Sequence, residues 1–569
     1  SIPLNYTLFD LEVYKDADKD YATPAYPYAP INAVTFYNSW DQSIRTYVLA
    51  LDRSADEIRE QLAGDFDEFG EMTESNGFFV FTDEISMLSR FLSDIRDTDV
   101  LSGWNSEDFD IPYLVNRILW LLAERYEVLI TFPLDTSPDK VREYLDRIIE
   151  ADNDASPAPL YLLQRVNYPS LDKPPEPKTV VKYGKDVITY ELLGRVHLDY
   201  LELYKKFTYE ELHSYSLDSV LSHEVGQNKV PYEGTLDDLY RNDIRRFTAY
   251  SRQDVAGLVD LDNKLGFINL TDTMARFGLV NLEKVLGTVA LVQGAIHRKA
   301  HQHGKVVPDK RNALRVAEEY DGMAAPGAIV FDPIPGIHEW VASYDVNSLY
   351  PTTIRMLNLS YETIGGIVLP DRIDRDEGKK RGWADFWSDY LQIPEVTLIN
   401  SGSDETVRVL FPNPDAFTIT DTFVVEEIPA KNILDLVDSD PNLLLTPFGL
   451  IVDRTITGII PELLGEWYEG RKKMRKMESE YFKKAQEEQD PAKKKEYMQK
   501  YEYFSTMQMV RKILLNSTYG SILNEHCAYY MFPVGSSVTM SGRAVVYSMK
   551  EIAEELLDAG LDTIREMAG

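Results

Sequence analysis

The sequence predicts an α/β chain of the multidomain α+β kind, and three observations carry that expectation. The chain has 569 residues, too many for one hydrophobic core, so three or more domains are expected. Its first half alternates short strand patterns with loops and helices. Its second half holds two long helical stretches, 461–489 and 492–521, separated by Asp490-Pro491.

Each element follows from a local pattern. "YTLFDLEV" (6–13) alternates like a buried strand, and "INAVTFYNS" (31–39) reads as a strand after a loop rich in Pro, Ala and Tyr. Residues 112–125 are expected to be helical. "DASPAP" (154–159) and "DKPPEPK" (172–178) read as loops. "TVVKYGKDVITYEL" (179–192) predicts a β-hairpin turning at Tyr183-Gly184-Lys185. Residues 236–319 are expected to be mostly helical. "AAPGAIVFDPIPG" (324–336), with three prolines and two glycines, marks a domain boundary, and "WVASYDV" (340–346) predicts a strand. Proline suits a first helical turn and not a helix interior, so the chain should reverse at Pro491 into a helical hairpin. The final stretch, "EIAEELLDAGLDTIREMAG" (551–569), reads as an amphipathic helix.

Apolar content of 44% and charged content of 27% fit a folded protein. No apolar run reaches membrane-spanning length and no signal-peptide pattern opens the chain, so a cytoplasmic protein is expected. The single cysteine, Cys527, excludes an intrachain disulfide and a thiolate zinc site. A net charge of −34 argues at first against nucleic acid, because phosphate binding needs a basic surface. Net charge is an average, however, and "RKKMRK" (471–476) and "PAKKK" (491–495) are locally basic.

Several polar residues stand out against these patterns. Asp10 and Glu12 lie two apart on a strand and so share a face. Their mutual repulsion is costly unless a cation neutralises it. A solvated face is the ordinary alternative, which the apolar neighbours Leu8, Phe9, Leu11 and Val13 weaken. In "GWNSEDFDIPYL" (103–114), Asp110 sits between Phe109 and Ile111-Pro112, with Asn105 five residues before it. In "YSRQDVAGL" (250–258), Tyr250 and Asp254 are four apart on a helix and share a face, a spacing that also occurs by chance. "SYDVNSLYPTT" (343–353) sets Asp345 at the end of an apolar run, with a turn behind it. Around "RKILLNSTYGS" (511–521), Gln508, Lys512, Asn516 and Tyr519 form one polar helix stripe, apart from an apolar face of Met509, Ile513 and Leu514. Arg471 and Arg475 lie one turn apart, where a solvated basic face is the alternative.

In this order the motifs resemble those of family B DNA polymerases, in their bacteriophage replicative branch. "FDLE", "N-x-x-x-F-D" and "Y-x-x-x-D" resemble the three exonuclease motifs. The resemblance implies an RNase H-like 3′–5′ exonuclease in which Asp10, Glu12, Asp110 and Asp254 hold two Mg²⁺ ions, with Mn²⁺ as a substitute. Tyr250 would position the attacking water. "LDYLELYKKF" (198–207) and "SYSLDSV" (214–220) extend the likeness to the phage branch, and the hairpin at 179–192 sits where that branch carries a strand-separating hairpin. "D-V-N-S-L-Y-P" resembles the first polymerase motif. It implies a metal on Asp345 and the Val346 carbonyl, the triphosphate on the Ser348 and Leu349 amides, and Tyr350 beneath the sugar. "K-x-x-x-N-S-x-Y-G" is matched by Lys512, Asn516, Ser517, Tyr519 and Gly520. It implies that Lys512 binds the triphosphate while Asn516 and Tyr519 border the nascent base pair. Arg471 and Arg475 would be the cationic pair on the β- and γ-phosphates, with Arg475 standing where relatives usually carry Lys. "PGA" (326–328) resembles a linker motif, with Ala325 in place of the frequent aromatic.

The implied organisation is an exonuclease domain over 1–262 and a helical connecting region over 263–325. A partial palm with an antiparallel sheet follows over 326–459, then a helical-hairpin fingers domain over 460–523 and a second part of the palm over 524–569. The third polymerase motif, Y-G-D-T-D-S, the thumb and the N-terminal domain are expected to lie outside the chain. "RDTDVL" (96–101) is rejected as a substitute, because it lies in the exonuclease half and lacks the Tyr-Gly. The expected function is the exonuclease, palm and fingers portion of a template-directed DNA polymerase, with negligible polymerisation by this chain alone. A stand-alone 3′–5′ DNA exonuclease and a noncatalytic DNA-binding assembly subunit are the alternatives. The implied partners are a DNA primer–template, dNTPs, a C-terminal piece bearing the missing motif and thumb, and a sliding clamp, with no membrane.

Overall fold

"YTLFDLEV" forms strand β1 (Tyr6–Val13), as its alternation predicts. The computed structural model describes residues 3–15, 19–63, 77–131, 139–140, 143–144, 146–148, 160–168, 173–182, 185–208, 210–227, 234–307, 327–338, 341, 343–368, 406–412 and 423–558. The loop at 154–159, the turn residues Tyr183 and Gly184, residues 308–319 of the helical stretch, Pro326 and the tail from 559 onward lie outside the described residues. The chain divides into two compact units, Ser1–Asp272 and Thr273–Gly569.

The first unit contains β2 (Ile31–Asn38), β3 (Ser43–Leu49), β4 (Gly77–Phe81), β5 (Val100–Ser102), β6 (Glu176–Lys182), β7 (Lys185–Glu191) and β8 (Val196–His197). Five of these, with β1, build a mixed sheet in the order β4-β3-β2-β1-β5-β8. β1, β2 and β3 pair antiparallel, while β4, β5 and β8 join in parallel. The predicted hairpin is β6–β7, antiparallel from Glu176↔Glu191 to Lys182↔Lys185; it starts three residues earlier than expected and takes Glu176–Lys178 from the stretch read as a loop.

Both faces of the sheet are covered. Phe9, Leu11, Val34 and Phe36 are buried in one core with Leu88 and Phe91 of α1 (Glu84–Asp94) and Leu114 and Ile118 of α2 (Asp110–Arg125). α3 (Tyr200–Phe207) follows β8 directly. Ala33 and Val48 enter a second core with Tyr240 of α4 (Leu236–Asn242) and Phe247 of α5 (Ile244–Leu265). Asp10 pairs with Thr35 and Glu12 with Ala33. Strand alternation therefore turns both carboxylates towards α5. Thr35 Oγ1 lies 2.8 Å from Ser251 Oγ of α5, and such small side chains let the helix approach the strand closely.

In the second unit, α6 (Thr288–Gln302) and α7 (Leu349–Met356) precede a five-stranded antiparallel sheet. Its strands are β9 (Ile364–Val368), β10 (Thr406–Pro412), β11 (Phe423–Pro429), β12 (Leu443–Leu445) and β13 (Leu450–Asp453), in the order β11-β10-β9-β13-β12. Three helices follow: α8 (Ile459–Glu487), α9 (Pro491–Ile522) and α10 (Phe532–Asp558). The hairpin expected at Pro491 forms. Asp490 accepts the Ala492 amide at 2.9 Å as the N-cap, and Tyr481 stacks on Phe504 across the pair with ring centroids 5.5 Å apart. The start of α8 is capped by side chains that follow α7. The Gly458 amide donates to Asn358 Oδ1 at 2.9 Å, the Ile459 amide to Glu362, and the Ile460 amide to Ser360 Oγ at 3.4 Å.

Two local expectations are corrected. No strand forms in the described part of the stretch expected at 340–346: residues 343–346 are irregular and Tyr344 is 81% exposed. The stretch has a strand's hydrophobicity, but no neighbour among the described residues completes its backbone ladder. The buried face of α9 is Val510, Leu514, Leu515, Thr518 and Ile522, while Met509 and Ile513 are only half-buried. α9 packs against α6, α8 and α10 together, which turns its buried stripe away from the simplest apolar triplet. No helix among the described residues is long and apolar enough to cross a membrane.

A buried ion pair ties the approach to β2 to both covering helices. Arg117 donates to Glu84 at 2.8 and 3.0 Å, with side chains 7% and 8% exposed. Arg117 also donates to the carbonyls of Pro27 and Tyr28, and Glu84 accepts the Ile31 amide. Glu84→Ala leaves that guanidinium buried and unpaired, a loss of about 3–5 kcal/mol. Urea unfolding followed by circular dichroism should show it, and a loss below about 1 kcal/mol would contradict the pair's role.

Candidate active site

β1 and α5 bring three carboxylates together. Ligand atoms of Asp10, Glu12 and Asp254 all lie within 4.8 Å of one another. Asp10 and Glu12 are half-buried and Asp254 is buried. Tyr250 is buried one turn before Asp254 on the same helix. Like charges at that separation repel by about 3 kcal/mol per pair at an effective dielectric near ~20. A divalent cation reverses the sign of that balance. An all-oxygen donor set fits a hard divalent ion.

Asp110, the fourth expected ligand, opens α2 and is buried. Its Oδ1 accepts the Leu11 amide at 3.1 Å. Leu11 lies between Asp10 and Glu12, so this bond seats Asp110 beside the strand that carries them. Asp110 is not one of the three whose ligand atoms fall within 4.8 Å. Burial pushes its carboxyl up to about 7; the Leu11 amide opposes the rise and the charge of Asp199 adds to it. Asp199 did not stand out in the sequence as a site residue. Its signal is an Asp immediately before a helix, in the N-cap position of α3. "RDTDVL" is structural: Asp99 accepts the Asn5 amide at 2.8 Å and the Asp97 carbonyl accepts Asn5 Nδ2 at 3.1 Å.

The second unit gathers a different set around α7. Asp345 is exposed and joins no cluster of three or more potential metal ligands among the described residues, and Val346 beside it is half-buried. Ser348 has φ 52° and ψ 51°, a left-handed conformation that is uncommon for a non-glycine residue. Ser348 is the N-cap of α7, so the left-handed residue leads directly into the helix. Tyr350 meets Tyr519 with ring centroids 4.4 Å apart, and the Tyr519 hydroxyl shares a 2.5 Å hydrogen bond with Thr539 Oγ1. A Cβ at Gly542 would come within 3.0 Å of Tyr350 Cε1, so the glycine makes room for that ring. Asn347 Nδ2 donates to the Tyr468 hydroxyl at 3.3 Å, and Arg355 lies over the Tyr468 ring at 4.7 Å.

On the helical hairpin, Arg471 and Lys512 are half-buried, while Arg475 and Asn516 are exposed. A Cβ on Gly470 would meet Arg511 Nε at 2.7 Å. That contact brings the Arg511 side chain of α9 against α8 one residue before Arg471. Sequence reasoning missed Thr539, Gly542 and Arg543, whose Nε donates to the Gly327 carbonyl at 2.7 Å. An isolated glycine inside an apolar helical run was the available signal for Gly542.

Two family models match the chain: "DNA polymerase family B" over residues 286–567, and "DNA polymerase family B, exonuclease domain" over residues 3–129. The chain belongs to DNA polymerase family B. The first range contains Asp345, Tyr350, Arg471, Arg475, Lys512 and Asn516, and the second contains Asp10, Glu12 and Asp110. Phage proteins are among the relatives. The DNA-directed DNA polymerase of Escherichia phage RB69 is 29% identical over 63% of this chain and 35% of its own length. That of Enterobacteria phage T4 is 28% identical over 63% of this chain and 35% of its own length. DNA polymerase 1 of Aeropyrum pernix is 22% identical over 96% of this chain and 43% of its own length. The chain thus spans about a third of the length of the phage relatives it matches.

The raised Asp110 carboxyl gives a pH test. Only the carboxylate form attracts a cation, so divalent-metal affinity should rise as pH climbs to about 7 and level off above it. Calorimetric titration with Mn²⁺ between about pH 6 and about pH 8 should show that rise, and Asp110→Asn should flatten it. A flat wild-type profile would contradict the linkage.

Proposed function

We propose that this chain is the exonuclease, palm and fingers portion of a DNA-dependent DNA polymerase with 3′–5′ proofreading. The observation that carries this function is the convergence of Asp10, Glu12 and Asp254 beside the Leu11–Asp110 bond. Residues 1–262 are assigned as an RNase H-like exonuclease domain and 263–325 as a connecting region. Residues 326–459 and 524–569 are assigned to the palm and 460–523 to the fingers. The mixed sheet, the five-stranded antiparallel sheet and the helical hairpin support these assignments.

In the exonuclease site, Asp10, Glu12, Asp110 and Asp254 would hold two Mg²⁺ ions. Bound there, the ions supply Lewis acidity at the scissile phosphate and lower the pKa of water. Asp10 and Glu12 fix the strand side of the site and Asp254 the helix side. Tyr250, one turn away, orients the attacking water for in-line displacement of the terminal nucleotide.

In the polymerase site, Asp345 and the Val346 carbonyl would hold metal together with a second carboxylate. The Ser348 and Leu349 amides, Lys512, Arg471 and Arg475 bind the triphosphate of a dNTP. Tyr350, packed on Tyr519 and seated by Gly542, supports the sugar and excludes a 2′-hydroxyl. Asn516 and Tyr519 border the nascent base pair. The proposed partners are a primer–template, dNTPs, a polypeptide piece bearing Y-G-D-T-D-S and a thumb, and a sliding clamp.

A 5′-labelled primer–template in Mg²⁺, with and without dNTPs, tests both sites. The chain should trim the primer in each case and extend it once a piece carrying Y-G-D-T-D-S is added. Asp10→Ala or Asp254→Ala should lower trimming by about 10³-fold, equivalent to about 4 kcal/mol of barrier. Trimming that survives either change would refute the carboxylate assignment.

A further inference from the structure

The loop that delivers Asp110 is held by a segment to which the mechanism above gives no role. "VHLDY" (196–200) crosses the end of β8 into α3 and grips residues 103–107 at successive points. The Tyr200 amide donates to the Gly103 carbonyl at 2.9 Å. His197 Nε2 and Ser106 Oγ are hydrogen-bonded at 2.8 Å. The Asp199 carboxylate does the most: Oδ1 accepts the amides of Asn105 at 3.0 Å and Leu201 at 2.9 Å, and Oδ2 accepts the amide of Glu107 at 3.0 Å. Asp199 is 4% exposed.

The gripped loop has little freedom elsewhere. A Cβ on Gly103 would lie 2.7 Å from the Phe9 carbonyl, so the loop rests directly on β1. Asn105 has φ 58°, and Asp199 accepts its amide in that left-handed conformation. The Ile111 amide then donates to the Ser106 carbonyl at 3.0 Å, which starts α2 with Asp110 aimed at Leu11. Three backbone donors already occupy most of the Asp199 carboxylate, which leaves it poorly suited to ligate a metal itself.

We propose that Asp199 is a positioning residue for the exonuclease centre, locking the Asn105–Asp110 loop so that Asp110 meets β1 and the metal site is complete. Its negative charge, felt by Asp110, also favours a cation there. This inference rests on the exonuclease function proposed above. Partners behind the metal ligands commonly change metal affinity or activity by about 10–100-fold when altered.

Asp199→Asn keeps the size of the side chain. It turns one acceptor oxygen into an amide nitrogen facing a backbone donor, and it removes the charge. The experiment titrates Mg²⁺ against trimming of a 5′-labelled single strand by the full chain. Strand binding in EDTA and thermal unfolding are measured alongside, with Asp254→Ala as a control. Asp199→Asn should raise the half-saturating Mg²⁺ about tenfold, with strand binding in EDTA unchanged and lost activity recovered by excess metal. A general structural defect would lower activity without moving that midpoint. If Asp199→Asn fails to fold, Ser106→Ala loosens the same loop from His197 and should shift the midpoint in the same direction. An unchanged midpoint in Ser106→Ala would then overturn the proposal. A folded Asp199→Asn with the wild-type midpoint, beside an inactive Asp254→Ala, overturns the positioning role and leaves the exonuclease intact. Trimming retained in Asp254→Ala overturns both.

Discussion

The bond from the Leu11 amide to the Asp110 carboxylate, 3.1 Å long, joins the parts of the first unit on which the proposed chemistry depends. β1 faces two demands. Phe9 and Leu11 must enter one core, and Asp10 and Glu12 must turn the other way towards α5. Strand alternation satisfies both only while the register with β2 holds, because a slip of one residue would exchange the two sets. The amide of Leu11 then fixes where α2 begins. One strand thereby sets the position of carboxylates that come from residues about a hundred and about two hundred and forty further along the chain. Asp10, Glu12 and Asp254 carry like charges within 4.8 Å, a concentration that the surrounding packing tolerates and a cation would relieve.

The second unit meets a comparable demand with caps and close packing. The residues just after α7 cap the start of α8, so the helix behind Tyr350 and the long helix bearing Arg471 share a base. Four backbone amides at a helix start lack partners inside the helix, and here Asn358, Ser360 and Glu362 accept three of the amides at that end. Gly542 lets α10 close on Tyr350, and Tyr519 packs on the same ring. In a polymerase, such a shared base would couple closure of the long helices to the seat of the sugar.

Much of this was legible in the sequence, for reasons that differ between residues. The alternation in "YTLFDLEV" determined both β1 and the common face of Asp10 and Glu12. The four-residue spacing of Tyr250 and Asp254 placed them on one helical face, and Asp490-Pro491 marked the reversal between the long helices. The irregular backbone at 343–346 was not legible, because a strand depends on a partner that local pattern does not reveal. The turn of α9 towards Leu515 and Thr518 was hidden for the same reason, since several neighbours set it. Asp199 was overlooked because its bonds to the loop amides reach more than ninety residues back along the chain. No short motif records that contact.

The central claim is that Asp10, Glu12 and Asp254, with Asp110 beside them, form a divalent-metal centre. Anomalous diffraction from crystals soaked in Mn²⁺ tests it most directly. The account predicts two peaks about 3.5–4 Å apart, with carboxylate oxygens of Asp10, Glu12 and Asp254 about 2.1–2.3 Å from a metal. No peak at these carboxylates, at a Mn²⁺ concentration that supports trimming, would contradict it.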